Sequence, residues 1–423
     1  MNVIQDLQWR GALYDVTPNA EHLFENENVT VYAGFDPTAK SLHIGNLVPI
    51  MGLVRMQRHG HSPIAIVGGG TGMIGDPSGK AEERQLMTAA QVDENVEGIG
   101  AQLGRFLDFN TKKNPAKLVN NADWLLQLGL VDFLRDVGKH FTVNYMMAKE
   151  SVAARLDRDE GLSYTEFSYM LLQAYDFLVL HDRYNCRAQL GGSDQWGNIL
   201  AGVELIRRMR GERAHAVVYP LITTSTGEKF GKSVGGAPTL DPEETSPFRF
   251  FQFWMNVADA DVIRYMKLFT LWDGEQIAPY EEAVSAEPQK REAQRALAKE
   301  MTEIVHGKDG LARAERATNV LFGGSIEGIP ADELLDIFSD VPSRDLPRTE
   351  FEDGGLPVSR LLVAAGVAES NGEARRLVQG GGIYLNNQRV SDPRDVVTAE
   401  QLADGRVLVL RRGAKNYHLV RVV

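Results

Sequence analysis

Over its first half the chain alternates short β-branched and aromatic runs with longer stretches of helical period, and few architectures accept that order. Residues 29–35 (VTVYAGF) read as a strand closed by Asp36-Pro37, and a helical pattern follows from Ser41 to Arg58 and stops at Gly60. A second strand candidate, 63–67 (PIAIV), runs into a glycine-rich stretch at 68–79, with helical patterns expected near 88–107 and 122–138. Residues 187–190, the helical stretch 196–210 and the strand candidate 217–222 repeat the theme. The alternation predicts a parallel sheet with helices on both faces, a Rossmann-type α/β domain over residues 1–222.

The pattern then changes. A glycine- and threonine-rich loop region spans 223–245, and aromatic-rich and Ala/Glu/Arg-rich helical stretches without strands predict a separate α-helical domain over 246–322. Residues 323–355 carry several Gly, Pro and acidic residues and read as a linker with one short helix near 332–338. The tail, 356–423, is expected to be a small α+β domain. It has two short helices, the second opened by Ser370-Asn-Gly-Glu373 at capping-box spacing, and strands at 383–385 and 407–410. Charge separates this tail from the rest: its ten Lys/Arg and six Asp/Glu give +4, so the preceding 355 residues carry −16 of the total −12. An acidic body does not coat nucleic acid non-specifically, whereas a basic appendix can contact phosphate. No apolar run approaches the ~18 residues of a membrane span. The first ten residues lack the apolar core of a secretory signal, so a cytoplasmic protein is expected. A single cysteine, Cys186, allows no internal disulfide, and no Cys/His spacing suggests zinc.

Three segments carry chemistry. His43-Ile-Gly45-Asn46 stands after a strand at a helix opening, where free amides favour phosphate, Gly45 admits a flat base, and His43 and Asn46 share a face. Alone, such a pair serves more often as caps. Lys229-Phe230-Gly231-Lys232-Ser233 puts two lysines three apart on a loop that could fold over a triphosphate, although a solvated lysine pair looks the same. Third, Tyr169, Gln173 and Asp176 fall at i, i+4 and i+7 on a largely apolar helix, so three polar groups share one stripe. A buried carboxylate needs a partner, either an internal hydrogen-bond network or a ligand. One segment misleads. Gly70-Thr-Gly72-Met-Ile-Gly75 matches the dinucleotide fingerprint, with Asp93 about 20 residues on. However, Asp76-Pro77 falls where a phosphate-binding helix should run and Asp93 lies inside a helical pattern, so NAD is not expected. Gly75 to Lys80 is also one residue short of a Walker loop, with Ala81 in place of its Ser/Thr.

The two lysines and the His-x-Gly-Asn segment, in this order on an alternating α/β pattern, resemble the signature of class I aminoacyl-tRNA synthetases. The runs 32–38, 68–80, 169–176, 191–198 and 229–233 closely resemble bacterial tyrosyl-tRNA synthetases, and the resemblance covers nearly the whole chain. It implies an enzyme that activates L-tyrosine with ATP, with Mg²⁺ on the phosphates, and transfers it to tRNA(Tyr). Tyr32 and Asp176 would hold the phenol hydroxyl, Asp76, Tyr169 and Gln173 would hold the α-amino group, and Gly34 and Asp36 would also belong to the tyrosine site. Gln195 would sit near the carboxylate and Asp194 on the ribose. Gly45, Asn46, Gly191, Gly192, Phe230 and Gly231 would line the ATP site. Thr38, His43, Lys80, Arg84, Lys229, Lys232 and Ser233 would act on the departing pyrophosphate. Asn46 replaces a frequent second histidine, Ala33 replaces a residue that can be polar, and Pro49 lies in the first helix turns. The tail resembles an S4-like RNA-binding module, in which Arg360, Arg375, Arg376, Arg389, Arg411, Arg412 and Lys415 would face tRNA, and 246–322 would be an anticodon-side domain. A homodimer bridged by tRNA is implied as well. The tryptophanyl sister enzyme, an RNA-binding protein without synthetic activity and a dehydrogenase are the alternatives. Tyr32 with Asp176 suits a phenol better than an indole, and the lysine loop argues for synthesis.

Overall fold

The computed structural model describes residues 1–76, 87–149, 152–153, 156, 162–231, 236–352, 354–413 and 416–423. The chain forms two compact units, one of residues 1–245 and 253–305, the other of 246–252 and 306–423. The helical stretch expected as a body of its own is thus shared out, with 253–305 clustering with the sheet.

The first unit is built on six strands: β1 (Asp15–Val16), β2 (Thr30–Phe35), β3 (Ser62–Val67), β4 (Lys117–Asn120), β5 (Cys186–Gly192) and β6 (His215–Tyr219). Their order is β1-β6-β5-β2-β3-β4, with β1 antiparallel and the other neighbours parallel. β3 and β6 are buried almost throughout, as strands covered on both faces must be. β4 was not expected from the sequence. Its first two residues are exposed and it sits at the sheet edge, so backbone pairing with β3 holds it, not an apolar pattern.

The longest helices connecting these strands among the described residues are α1 (Leu47–Arg58), α2 (Ala89–Leu103), α3 (Tyr164–Tyr184) and α4 (Trp196–Arg210). Pro49 is tolerated in α1 because the first turn's amides have no intrahelical acceptor. The Ser163 hydroxyl accepts from Glu166 N at the start of α3, and Asn185 ends it in the left-handed conformation, φ 52°. Tyr32, Ile64, Phe177, Leu178, Ala201 and Leu205 form part of the core between sheet, α3 and α4. Connections from β2 proceed to β3 and β4 on one side, whereas β5 and β6 lie on the other. The order therefore reverses between β2 and β5, and in open α/β sheets the crevice beyond that point is where ligands bind.

The second unit contains a five-stranded sheet ordered 388–389, 383–385, 407–412, 416–422, 343–346, with helices Val358–Ala364 and Asn371–Gln379. Leu361, Leu362, Val378, Leu408, Leu410 and Val420 share its core. The stretch 323–355, expected as a linker, supplies helix Ala331–Ile337 and the edge strand Ser343–Leu346, which pairs in parallel with 416–422. That strand is polar and mostly exposed, so backbone hydrogen bonding makes it where side-chain pattern gives no sign.

Candidate active site

A cavity of about 280 Å³ opens at the carboxyl ends of β2 and β5, the two strands flanking the reversal. Tyr32, Gly34 and Asp36 reach it from β2 and the turn after it, and Gln189, Gly191 and Gly192 from β5. The α3 stripe faces it, with Tyr169, Gln173 and Asp176 all on its wall, together with Asn46, Asp76, Asp194 and Gln195.

At its apolar end, the Tyr32 ring packs edge-on against Phe177 with centroids 5.1 Å apart, and its buried hydroxyl has no hydrogen-bond partner among the described residues. Burial, followed by the charge of Asp176, pushes the Tyr32 hydroxyl well above its ordinary range, so the phenol stays protonated. Asp176 is fully enclosed. Its two oxygens accept from Trp124 Nε1 at 2.7 Å and Asn121 Nδ2 at 2.9 Å. Asn121 is held by the turn after β3, accepting from Gly70 N at 2.7 Å and donating to Thr71 Oγ1 at 2.9 Å. Burial raises the Asp176 carboxyl to about 7, against the pull of the Asn121 and Trp124 hydrogen bonds and with a further push from Asp36.

This carboxyl binds its proton more tightly in the fold than in the unfolded chain. Its contribution to stability is complete below the ordinary value of 3.8 and is withdrawn as pH rises through about 7. Relative to Asp176→Asn, which cannot titrate, the parent protein should lose stability between pH 4 and pH 8. Urea denaturation across that range measures the difference, and a flat difference contradicts the shift.

At the other end the groups are linked. Tyr169 Oη donates to Asp36 Oδ1 at 3.2 Å, Gln195 Nε2 donates to Asp76 Oδ2 at 2.7 Å, and Gln173 Nε2 reaches Gln195 Oε1 at 3.3 Å. The side-chain oxygens Gln173 Oε1 and Gln189 Oε1 are buried without partners among the described residues. The described lining includes Asp36, Asp76, Asp176 and Asp194 and neither lysine nor arginine, an arrangement that attracts a cation.

A second cavity of about 240 Å³ shares Pro49, Gly192 and Asp194 with the first and adds Gly45, Tyr219, Lys229 and Phe230. Burial raises the Asp194 carboxyl, Asp76 adds to this, and Lys229 opposes it. At Gly192 a Cβ would stand 2.4 Å from Asp194 Oδ1, and at Gly45 it would stand 2.8 Å from the His43 ring, so a larger residue at either position would push these side chains aside. His43 Nδ1 accepts from Gly45 N and Asn46 Oδ1 accepts from His43 N, each at 3.0 Å, so these residues do form a reciprocal cap. Asn46 also lines the first cavity.

Among the other expected site residues, Thr38 is exposed and, like His43 and Gly231, lines neither cavity, although Gly231 lies beside Ile44. Lys80, Arg84, Lys232, Ser233 and Lys415 fall outside the described residues. In the second unit Arg360, Arg375, Arg376 and Arg389 are exposed. Arg411 stacks on Tyr384 at 3.9 Å, and Arg412 donates to the Val367 carbonyl at 3.2 Å. Sequence reasoning missed Asn121, Trp124, Thr71 and Gln189. The first two meet Asp176 across 55 and 52 residues of chain, a separation that no local periodicity registers. The glycine-rich turn after β3 forms a single 3₁₀ turn, Thr71–Met73, and Asp93 lies within α2.

Comparison with known proteins agrees with this geometry. The family described as tRNA synthetases class I (W and Y) matches residues 25–323, and the tyrosine–tRNA ligase SYY-like C-terminal domain matches residues 333–420. The chain is 53% identical over 421 residues to the tyrosine–tRNA ligase of Roseiflexus castenholzii, covering 100% of this chain and 99% of that one. It is 50% identical over 424 residues to that of Geobacillus stearothermophilus, covering both chains completely. Among solved structures, a C-terminally truncated mitochondrial tyrosyl-tRNA synthetase of Aspergillus nidulans is similar over 76% of this chain and 94% of that chain (TM-score 0.68, 30% identity). A tryptophanyl-tRNA synthetase of Encephalitozoon cuniculi shares the fold over 73% of this chain and 87% of that one (TM-score 0.53, 13% identity). A pocket that pairs a protonated phenol with a carboxylate at one end and gathers acids at the other, next to a lysine-bearing cavity, thus occurs on a chain that belongs to the tyrosine–tRNA ligase family of class I aminoacyl-tRNA synthetases.

Proposed function

We propose that the first cavity holds L-tyrosine and the second the phosphates of ATP. As a tyrosine–tRNA ligase the chain works in two steps, forming tyrosyl-adenylate and pyrophosphate and then passing tyrosine to the 3′ end of tRNA(Tyr). In this reading the substrate hydroxyl meets Tyr32 and Asp176, its ammonium meets Asp76, Tyr169 and Gln173 near Asp36, and its carboxylate lies by Gln195. Asp194 takes the ribose. The observation that carries the assignment is chemical complementarity. An acidic cavity free of Lys and Arg among its described lining suits an ammonium, and the Tyr32 hydroxyl beside an enclosed carboxylate suits a phenol.

The first step needs no protein nucleophile. A tyrosine carboxylate oxygen bonds to the α-phosphorus as the bond to the bridging oxygen breaks, and pyrophosphate leaves with those electrons. The protein aligns the two substrates and meets the growing charge with Lys229, and we assign the same task to Thr38, His43, Lys80, Arg84 and Lys232. We place Mg²⁺ on the phosphates as part of the ATP substrate. Tyrosine-dependent ATP/pyrophosphate exchange, run against the other amino acids, tests this. Exchange is expected with tyrosine alone, and exchange driven by tryptophan instead would defeat the reading.

We also propose a homodimer. Helix Leu130–Asp136 has no buried residue, and Leu126, Leu130, Val131, Leu134, Val143 and Met147 are exposed around it, an apolar face that a second copy would cover. Leu130→Asp should shift the sedimentation coefficient to that of a monomer, and an unchanged value places the interface elsewhere. The exposed Arg360, Arg375, Arg376 and Arg389 are the proposed phosphate contacts of the tail, together with Arg411 and Arg412, and Lys415 is added on the resemblance alone. The same reading puts the reaction in the cytoplasm. No helix among the described residues is long and apolar enough to cross a membrane.

A further inference from the structure

Helix Asp259–Phe269, in the sheet-bearing unit, grips the segment that leads to Lys229 at successive points. The buried Asp261 carboxylate accepts from Ser225 N at 3.0 Å and from Ser225 Oγ at 2.9 Å. Three residues on, Arg264 Nη1 donates to the Thr223 carbonyl at 3.2 Å. The Tyr265 and Phe269 rings lie 4.9 Å from that of Phe230, one edge-on and one stacked. Positions 261, 264, 265 and 269 recur at helical spacing, so one face of one helix holds Thr223, Ser225 and Phe230, the residue next to Lys229.

The far end of this helix is tied to α1. Arg55 Nη2 donates to the carbonyls of Lys267 at 3.3 Å, Leu268 at 2.6 Å and Thr270 at 2.9 Å, and Arg10 Nη1 adds bonds to Lys267 at 3.0 Å and Thr270 at 3.2 Å. The last carbonyls of a helix lack intrahelical donors and attract cations, which accounts for two guanidiniums converging here. Burying Arg55 is costly, and an apolar side chain would serve if packing alone were needed. What the guanidinium adds is direction, because hydrogen bonds fix the helix along its axis and apolar contact does not. Because α1 begins directly after His43 to Asn46, a single helix is bonded both to the element opened by those residues and to the segment that ends at Lys229.

We propose that helix Asp259–Phe269 is a strut that sets Lys229 against α1, and that Asp261 and Arg264 are positioning residues for the ATP step. This rests on the assignment of Lys229 to the ATP phosphates. The test compares Asp261→Ala, Asp261→Asn, Arg264→Gln and Lys229→Ala in the full-length protein, reading pyrophosphate exchange at varied ATP and tyrosine affinity by equilibrium dialysis.

Asp261→Ala should lower the exchange kcat about tenfold or more and raise KM for ATP, while tyrosine affinity stays within about twofold. Asp261→Asn keeps an acceptor for Ser225 and should recover most of the loss, and Arg264→Gln should move kcat in the same direction as Asp261→Ala. If Lys229→Ala impairs ATP kinetics but Asp261→Ala and Arg264→Gln leave them unchanged, the strut is wrong. A parallel loss of tyrosine affinity in Asp261→Ala also overturns it, since that marks general distortion. If Lys229→Ala itself leaves ATP kinetics unchanged, the underlying assignment fails and takes the strut with it. Should Asp261→Ala not fold, Arg264→Gln decides by the same criterion.

Discussion

Asp176→Asn should reduce kcat/KM for tyrosine activation roughly ten- to a hundredfold and narrow the preference for tyrosine over phenylalanine. The reason lies in the donor arithmetic of the site. Asp176 accepts from Trp124 on one oxygen and from Asn121 on the other, and both partners can only donate in this geometry. An amide offers one oxygen and one NH₂, so one of these donors must face another donor and lose its bond. Above about pH 7, where the Asp176 carboxyl is ionised, the ligand's hydroxyl also loses a charged acceptor, a hydrogen bond worth about 1.5–3 kcal/mol. Since about 1.4 kcal/mol is tenfold, that term alone accounts for the predicted loss. Phenylalanine suffers only the first penalty, having no hydroxyl to lose. Pyrophosphate exchange with each amino acid gives both values of kcat/KM, and an unchanged ratio would remove Asp176 from recognition.

Lys229→Ala should cost about 10²–10³ in the kcat of adenylate formation, the range seen when one preorganised donor is removed from developing charge. Lys229 lines the second cavity, and its ammonium acts on the same Asp194 that the two cavities share. Negative charge accumulates on pyrophosphate as the α-phosphorus bond breaks, so the loss should fall on the transition state more than on ground-state ATP. Tyrosine affinity should be untouched, because no lysine belongs to the described lining of the first cavity. Single-turnover measurement of adenylate formation at saturating ATP separates these effects. A variant that lost only ATP affinity and kept kcat would show uniform binding instead.

Much of the pocket was readable before the fold was known. The Tyr169, Gln173 and Asp176 stripe follows from helical period, and all three line the cavity. The strands β2 and β3 were equally plain, because buried parallel strands are written as continuous apolar runs. The edge strands Lys117–Asn120 and Ser343–Leu346 were not, since pairing with a neighbour defines them and their side chains stay largely in solvent. Composition likewise does not register that residues 253–305 group with the first sheet, or that 343–346 add a strand after the short helix expected near 332–338, because both depend on what each stretch packs against.

Periodicity, capping and turn chemistry act over a few residues, so the amino-acid order alone settled where most helices and buried strands lie, and which polar side chains share a helix face. It did not settle which loops meet. Strand order did that, by reversing between β2 and β5 so that Tyr32 and Asp36 come to share a cavity with Gln189 and Asp194, and by bringing Asn121 and Trp124 onto Asp176. Those contacts join segments far apart in the chain, and only the three-dimensional arrangement of the sheet specifies them.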